Sequence, residues 1–334
     1  SDKGNYRIRK ISPDGIIHTI VGNGIRGNIG DGLPAMQASV YGATTLKLNN
    51  KGEIFIISPS GFVSLIRKID GKGIMRKFLD TVTPRYLESI AKSKYKGKVQ
   101  TGELATITTF SDFAFDQKGN MFISDRLNHQ IRKVDSKGNI TTIAGTGESG
   151  YYGDGDLASE AAFRDPSALA TDKEGNLYIA DGANNLIRKI DTKGIISTIA
   201  GNGKHDNSGD GGPALEASIR NMDYLKVSLK GELHIVGMNS NIIRKVTRDG
   251  KILKVAGRGY QGYSGDGGPA TKAMLKSPLA IAFDSKSNMY ITDMGNNRIR
   301  KVDANGIIST FAGTGNFGWA QDGETVEIYL HKFP

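Results

Sequence analysis

The chain has 334 residues, no cysteine and a formal net charge of +10 at pH 7. The lack of cysteine excludes disulfides, thiol catalysis and cysteine-containing metal sites. No apolar run reaches the ~18–20 residues that a membrane-spanning helix needs. The positive charge favours fast association with anionic partners and says nothing about the fold.

A repeated text runs through the whole sequence. The triplet Ile-Arg-Lys recurs along the chain, and its last three intervals are each 56 residues. The triplets begin at Ile8, Ile66, Ile131, Ile187, Ile243 and Ile299. A fixed period of this size indicates a tandem array of one structural unit. The 44 glycines fall largely at turn positions in phase with the repeat.

Each unit contains four short strand-like runs bounded by Gly, Asn or Asp. In the clearest unit these runs, termed strands a to d, are 166–172, 176–181, 186–191 and 195–200. Their length and their content of Ile, Leu, Tyr and Thr predict strands joined by hairpins. Strands a and b are expected to be buried on both faces and c and d to lie nearer the rim. Radial stacking of such sheets predicts a β-propeller.

The number of units predicts a six-bladed propeller that forms a single domain over residues 1–334. Residues 1–24 supply only strands c and d, and residues 316–334 form a C-terminal linking loop. We therefore expect a closing blade formed from both termini and incomplete in this chain; the alternative is an excised stretch of a longer protein. Full blades are predicted at about 43–82, 111–147, 166–203, 222–259 and 278–315.

The repeated motifs resemble those of a known family. They read D-x-x-N-N-x-I-R-K-[IV]-D, then I-x-T-[IF]-A-G-[TN]-G, then G-D-G-G-P-A. This text resembles the NHL repeat, particularly its long-loop version in bacterial extracellular and cell-surface proteins and in teneurin-like proteins. The resemblance covers nearly the whole chain and implies a propeller of four-stranded antiparallel blades. It leaves function open, because NHL propellers include protein-binding and RNA-binding modules, receptor-kinase sensor domains and a few lyases.

Charged residues that recur in phase are interpreted as architecture. An aspartate after strand b recurs together with an arginine at the start of strand c, and a structural ion pair is expected between them. The aspartates are Asp2, Asp125, Asp181 and Asp293, and the arginines are Arg9, Arg132, Arg188 and Arg300.

A second set of aspartates lies in Gly-Asp-Gly loops or, at the last position, in Gln-Asp-Gly. We expect these residues to form turns and to cap the segment Pro-Ala-x-x-Ala that follows. Calcium binding is the alternative, disfavoured because each loop offers only one or two carboxylates; no other metal or cofactor is predicted. These residues are Asp31, Asp154, Asp210, Asp266 and Asp322.

Blades two and five depart from the repeat. Both lack the aspartate after strand b, and both carry a lysine, Lys47 or Lys226, where the other blades have alanine in strand a. In a six-bladed ring these blades would face each other, so the two lysines could clamp an anion near the axis. The alternatives are a local ion pair, for example with Asp112 or Asp223, or a side chain that reaches solvent.

Aromatic residues collect irregularly in the loops that join strand d to the next strand a. Exposed aromatics beside Asn and Asp suit a sugar ring or a protein partner; the alternative is that each aromatic packs its own loop onto the neighbouring blade. The predicted ligand-binding residues are Tyr151, Tyr152, His205, Tyr260, Tyr263, Phe317 and Trp319.

The loop at 80–109 lacks the Gly-Asp-Gly motif and places lysines on both sides of Tyr95. Alternation of lysine with an aromatic is compatible with polyanion binding, whereas a solvated loop is the plainer interpretation. The lysines are Lys92, Lys94, Lys96 and Lys98.

The sequence gives little support for catalysis. Its five histidines fall at unrelated positions, and no nucleophile-elbow, zinc-protease or phosphate-loop motif is present. We therefore predict a non-catalytic binding or scaffolding propeller of a secreted, periplasmic or cell-surface protein, which binds protein or glycan on its loop-rich face. A polyanion or nucleic-acid binder is the alternative, and a lyase or hydrolase is the third.

Overall fold

The computed structural model describes residues 1–43, 45–60, 63–80, 110–135, 138–316, 318 and 321–324. Its regular elements are β-strands and short 3-10 helices, and these described residues contain no α-helix. None of the described helices is long and apolar enough to cross a membrane. The 3-10 helices are Lys3–Asn5, Arg126–Asn128, Ala158–Glu160, Gly182–Asn184, Ala270–Lys272 and Met294–Asn296.

The strands form antiparallel sheets in chain order. The first sheet has two strands, β1 (Ile8–Ile11) and β2 (Ile17–Val21). Blade two contains β3 (Thr45–Leu48), β4 (Ile54–Ser60), β5 (Val63–Ile69) and β6 (Met75–Asp80). Blade three contains β7 (Phe110–Phe115), β8 (Met121–Asp125), β9 (Gln130–Val134) and β10 (Ile140–Ala144).

Three further four-stranded sheets follow. Blade four contains β11 (Pro166–Thr171), β12 (Leu177–Asp181), β13 (Leu186–Ile190) and β14 (Ile196–Ala200). Blade five contains β15 (Tyr224–Val227), β16 (Leu233–Gly237), β17 (Ile242–Val246) and β18 (Ile252–Ala256). Blade six contains β19 (Pro278–Phe283), β20 (Met289–Asp293), β21 (Arg298–Val302) and β22 (Ile308–Ala312).

These sheets confirm the four-stranded antiparallel blades of a β-propeller and the five predicted full blades, but the described residues form five blades and a two-stranded sheet, not six blades. The first sheet supplies only strands c and d, because no described residue forms strands a and b beside them. The described residues group into two compact units, 1–143 with 321–324 and 144–318. The single domain over 1–334 stays a prediction.

Burial within the blades agrees with the pattern for strand b. All five residues of β8, β12 and β16 are buried, as two-sided packing of apolar strands requires. In the second unit, one apolar core joins Ile187 and Tyr178 of blade four to Leu225 and Ile235 of blade five. A neighbouring core joins Val236 of blade five to Ile291 of blade six.

Strands a and c differ from the expected burial. Strands β3 and β15, which carry Lys47 and Lys226, are only partly buried. Strand c lies deeper than expected, because the side chain of Arg188 in β13 is completely buried. The expectation failed because the charge of the arginine suggested a place at the rim. In the structure the buried guanidinium donates hydrogen bonds to a loop carboxylate and a loop carbonyl oxygen.

Each Gly-Asp-Gly loop lies along the outer strand of the blade that follows it. Gly155 donates to the carbonyl oxygen of Ile196 in β14 at 2.8 Å, and Ile196 donates back to Asp156 at 3.0 Å. The C-terminal segment 321–324 makes the same contact with β2, through Gly323 and Ile17 at 3.1 Å. These loops thereby act as additional edge partners and protect strand d.

Candidate ligand-binding face

Five buried arginines of strand c hold the Gly-Asp-Gly loops in place. Each guanidinium contacts the aspartate of the loop that lies along strand d of its own sheet. The pairs are Arg9 with Asp322 at 2.8 Å, Arg67 with Asp31 at 3.0 Å, Arg188 with Asp154 at 2.7 Å, Arg244 with Asp210 at 2.8 Å, and Arg300 with Asp266 at 3.1 Å. The expected capping role is wrong for the 3-10 helices at 158–160 and 270–272, because no side chain caps either of them.

The aspartate after strand b supplies a second carboxylate to the arginine, as predicted. Arg188 lies 3.6 Å from Asp181, and Arg300 lies 3.3 Å from Asp293, with all four side chains fully buried. The same pairing joins Arg132 to Asp125 at 3.1 Å and Arg9 to Asp2 at 3.8 Å. These pairs fix the loop, the turn after strand b and strand c to one another.

The ionised forms of two loop carboxylates, Asp154 and Asp266, are favoured by their partners. Partial burial opposes ionisation of Asp154, but hydrogen bonds from Thr198 and the charge of Arg188 lower its pKa below the ordinary value. The pKa of Asp266 is lowered in the same way, against partial burial, by Thr310, Arg300 and Tyr263. The described residues contain no group of three metal-ligating side chains, and calcium binding stays a prediction.

Tyr151 and Tyr263 occupy equivalent positions in the loops before blades four and six. The hydroxyl of Tyr151 donates to Asp154 at 3.2 Å and lies 3.1 Å from the hydroxyl of Thr198. Tyr263 repeats both contacts, at 2.8 Å to Asp266 and 2.9 Å to the hydroxyl of Thr310. Each aromatic therefore packs its own loop onto a blade, which is the alternative considered from the sequence.

Arginines lie beneath these rings. The guanidinium carbon of Arg188 is 5.0 Å from the ring centre of Tyr151. Those of Arg298 and Arg300 are 3.9 Å and 4.8 Å from the ring centre of Tyr263. Cation–π contacts of this kind hold the rings in fixed orientations. The contacts between these arginines and the tyrosine rings could have been predicted from the sequence only if the loop had been known to fold over strand c.

The rings are nevertheless accessible. Tyr151, Tyr152, Tyr260 and Tyr263 are 51%, 47%, 69% and 42% exposed. Tyr152 has its hydroxyl 3.3 Å from that of Thr146, and Tyr260 lies 5.8 Å from the guanidinium of Arg258. The exposed His205 contacts Asn185 at 3.0 Å, while Phe317 and Trp319 lie outside the described residues. The structure thus places all the described aromatic candidates in loops of the unit 144–318.

The lysine candidates are divided. Lys47 donates to Asp112 at 2.7 Å, so it forms the local ion pair considered as an alternative to anion binding. Lys226 is exposed on β15. Asp223, its suggested partner, accepts a hydrogen bond from the amide of Met238 at 2.7 Å. Lys92, Lys94, Lys96 and Lys98 lie outside the described residues, so both lysine hypotheses stay predictions.

Sequence reasoning missed His234 in strand β16. Its position in strand b is aromatic in the other blades: Phe55, Phe122, Tyr178 and Tyr290. Aligning the repeats at strand b would have found it. The ring is buried and packs edge-on against Phe283 at 4.9 Å between centres. Burial lowers the pKa of His234 to about 4.

This burial predicts a pH-dependent loss of stability. The unfolded chain protonates His234 near the ordinary pKa of 6.5, whereas the folded protein does so near a pKa of about 4. Between these values the unfolded state binds more protons, so stability falls as pH falls. From about pH 7.5 to about pH 5, the native chain should lose ~2 kcal/mol of unfolding free energy relative to His234→Phe. Parallel denaturant titrations measure this difference, and a pH-independent difference would contradict it.

The comparisons with known proteins agree with this architecture. The model of the Teneurin NHL domain matches residues 146–208 and 258–322. Over these residues the chain is similar to the NHL-repeat β-propeller family. The chain is 31% identical to Teneurin-m of Drosophila melanogaster over 222 residues, which cover 58% of this chain and 8% of that protein. Teneurin-3 of Danio rerio is 26% identical over 334 aligned residues, which cover 89% of this chain and 11% of that protein.

Solved structures support the same fold at lower identity. A structural genomics protein of unknown function from Bacteroides thetaiotaomicron superimposes with a TM-score of 0.59 and 19% identity, covering 93% of this chain and 67% of that one. This chain spans only about a tenth of the length of the teneurins that it matches. Its similarity therefore concerns one module of those much longer proteins.

Proposed function

We propose that this NHL propeller is a non-catalytic binding module of a secreted or cell-surface protein, and that it recognises a protein ligand through the loops that join strand d to strand a. The observation that carries the proposal is the set of four exposed tyrosines in the loops before blades four and six. The intervening loop has Asn207 at the position of Tyr151 and Tyr263, and Ser208 at that of Tyr152. Lys204 takes the position of Tyr260. A ligand site on a repeat protein needs such asymmetry, because purely architectural residues recur in phase.

The loops are built to present these rings with little freedom. Asp154 and Asp266 are each bound by a buried arginine of strand c. Tyr151 and Tyr263 are fixed by hydroxyl contacts and by guanidinium groups beneath their rings. Rigid aromatic side chains lose little conformational entropy on binding, which is why tyrosine is frequent at protein-binding hot spots. The family resemblance to extracellular NHL proteins supports the proposed location.

Tyr152 and Tyr260 are the residues with which to test this proposal, since neither hydroxyl holds a loop aspartate. Peptides selected from a random display library on the native chain should lose about tenfold or more in affinity when both residues are changed to Ser. Biolayer interferometry measures the change. The matched control is Leu48→Ser with Leu229→Ser, two similarly exposed residues outside these loops. Equal affinity for native chain and tyrosine variant would contradict the proposal.

Polyanion binding is the competing function, suggested by the +10 charge and the lysines at 92–98. Its affinity would fall steeply between about 50 mM and about 200 mM salt, because each phosphate or sulfate contact releases counterions. Binding of a heparin-like polysaccharide that disappears when Lys92, Lys94, Lys96 and Lys98 are changed to Gln would favour this function. Aromatic recognition of a protein ligand should respond weakly to the same change of salt.

A further inference from the structure

A cavity of about 240 Å³ lies between blades five and six, and its lining includes none of the four exposed tyrosines. Blade five contributes polar residues of its a–b turn and strands, and blade six contributes an apolar wall. The polar residues include Ser228, Lys230, Glu232, His234 and Lys245, and the wall includes Phe283, Met289 and Val302, with Asp303 in the turn beyond.

The cavity coincides with a local departure from the repeat. In blade four the hydroxyl of Tyr178 donates to Asp172 of the a–b turn at 3.0 Å, and in blade six Tyr290 donates to Asp284 at 3.2 Å. Blade five has His234 in place of the tyrosine and Ser228 in place of the aspartate. Both replacements are smaller, and this blade lacks the tyrosine–aspartate hydrogen bond that blades four and six have.

The hydrogen bonding of His234 fixes which nitrogen can accept. Nδ1 lies 3.2 Å from the carbonyl oxygen of Glu232, which can only accept. Nδ1 therefore carries the proton of the neutral ring, and Nε2 is an acceptor. The low pKa of this residue is consistent with a neutral imidazole at physiological pH. A guest that hydrogen-bonds Nε2 must supply an N–H or O–H group.

Among the charged groups that line the cavity, the ammonium group of Lys230 and one carboxylate oxygen of Asp303 are available to a ligand. Lys245 is neutralised by Glu232, at 2.9 Å and 3.1 Å to its two oxygens. Lys230 has no carboxylate partner among the described residues. Asp303 uses Oδ1 to accept from the amides of Asn305 and Ile307 at 2.9 Å each, and Oδ2 forms no hydrogen bond within the described part of the chain.

From this arrangement we infer that the cavity binds a small free α-amino acid with an apolar side chain. The ligand carboxylate pairs with Lys230, and its ammonium group donates to His234 and Asp303. The side chain packs against Phe283, Met289 and Val302, of which the last two are buried. The opposite charges on the lining match a zwitterion better than a simple anion, since an anion would gain from Lys230 but be repelled by Asp303. This site is independent of the proposed protein-binding face.

The test is calorimetric titration of the whole chain with leucine, valine, methionine and phenylalanine, followed by N-acetyl-leucine and leucinamide. We expect at least one free amino acid to bind with a dissociation constant below about 10 mM. Both blocked forms of leucine should bind at least about tenfold more weakly than leucine, because each lacks one charge. Absence of binding by every free amino acid, or equal binding of either blocked form, would overturn the inference.

Two variants locate the site. His234→Phe should abolish binding while the fold is retained, because Phe55 occupies the same position in blade two beside an equivalent Glu53–Lys68 pair. Lys230→Gln should lower the affinity for leucine about tenfold. Its matched control is Lys118→Gln, at the equivalent place in the a–b turn of blade three, which should bind as the native chain does. Unchanged binding to His234→Phe would also overturn the inference.

Discussion

Replacing Arg188 by Met is expected to reduce the free energy of unfolding by about 3–5 kcal/mol. The arginine is completely buried and pairs with Asp154 at 2.7 Å and Asp181 at 3.6 Å. Its guanidinium also donates to the carbonyl oxygens of Tyr152 and Ala162. Methionine fills much of the same space but leaves the fully buried Asp181 without its cation, and an unpaired buried charge is costly.

Urea titration followed by circular dichroism measures the loss for Arg188→Met. Lys193→Met is the matched control, since it removes a positive charge from an exposed turn of the same blade and should change stability by less than about 0.5 kcal/mol. A loss below about 1 kcal/mol for Arg188→Met would show that the ion pairs contribute little beyond packing. The loops that carry the tyrosines would then need another anchor.

The second large effect is expected at Gly265, in the loop before blade six. Its φ is +90°, and a Cβ added there would lie 2.7 Å from both the Cα and the Cβ of Ala273. Gly267 has a φ of +81° in the same loop, yet an added Cβ would meet nothing within 4 Å. Gly267→Ala should therefore cost only the left-handed strain, about 1–2 kcal/mol. Gly265→Ala should cost about 1–3 kcal/mol more, because the backbone of Ala273 must move.

Thermal unfolding of the two variants side by side isolates the close approach, because the backbone strain is nearly equal in both. Equal destabilisation would mean that the loop moves away from the 3-10 helix at Ala270–Lys272 without cost. In that case the loop would be too loosely attached to present Tyr260 and Tyr263 in a fixed arrangement.

The blades could be predicted because their information is local. Strands of blade four were predicted at 166–172, 176–181, 186–191 and 195–200 and are found at 166–171, 177–181, 186–190 and 196–200. Alternation, turn residues and a 56-residue period are enough to fix such elements. The five full blades were predicted near the places where the structure has them, whereas the count of six blades included the c–d pair at 8–21, which has no described a and b strands.

The partners of charged residues could not be predicted in the same way. Arg188 was correctly paired with Asp181, which lies seven positions away, but its contact with Asp154 lies 34 positions upstream. That contact forms only because the loop lies across strand d, and the local sequence pattern does not predict this path of the loop. The hydroxyl contacts of Tyr151 and Tyr263 depend on the same crossing.

His234 shows a different reason for a miss. His234 was compared with the other four histidines for metal-ligand spacing. It was not compared with the residues at the equivalent position of the other repeats, which are Phe55, Phe122, Tyr178 and Tyr290. In a repeat protein the informative comparison is between equivalent positions. The same comparison identified Lys47 and Lys226, although the ion pair of Lys47 with Asp112 emerged only from the structure.

The binding face is tested most directly by hydrogen exchange of the whole chain, with and without a saturating peptide selected on it. Our account predicts slower exchange in the loops at 146–153 and 258–264, which carry the four exposed tyrosines. Protection confined to the a–b turns, such as 116–119 and 228–231, with none in these loops would contradict it.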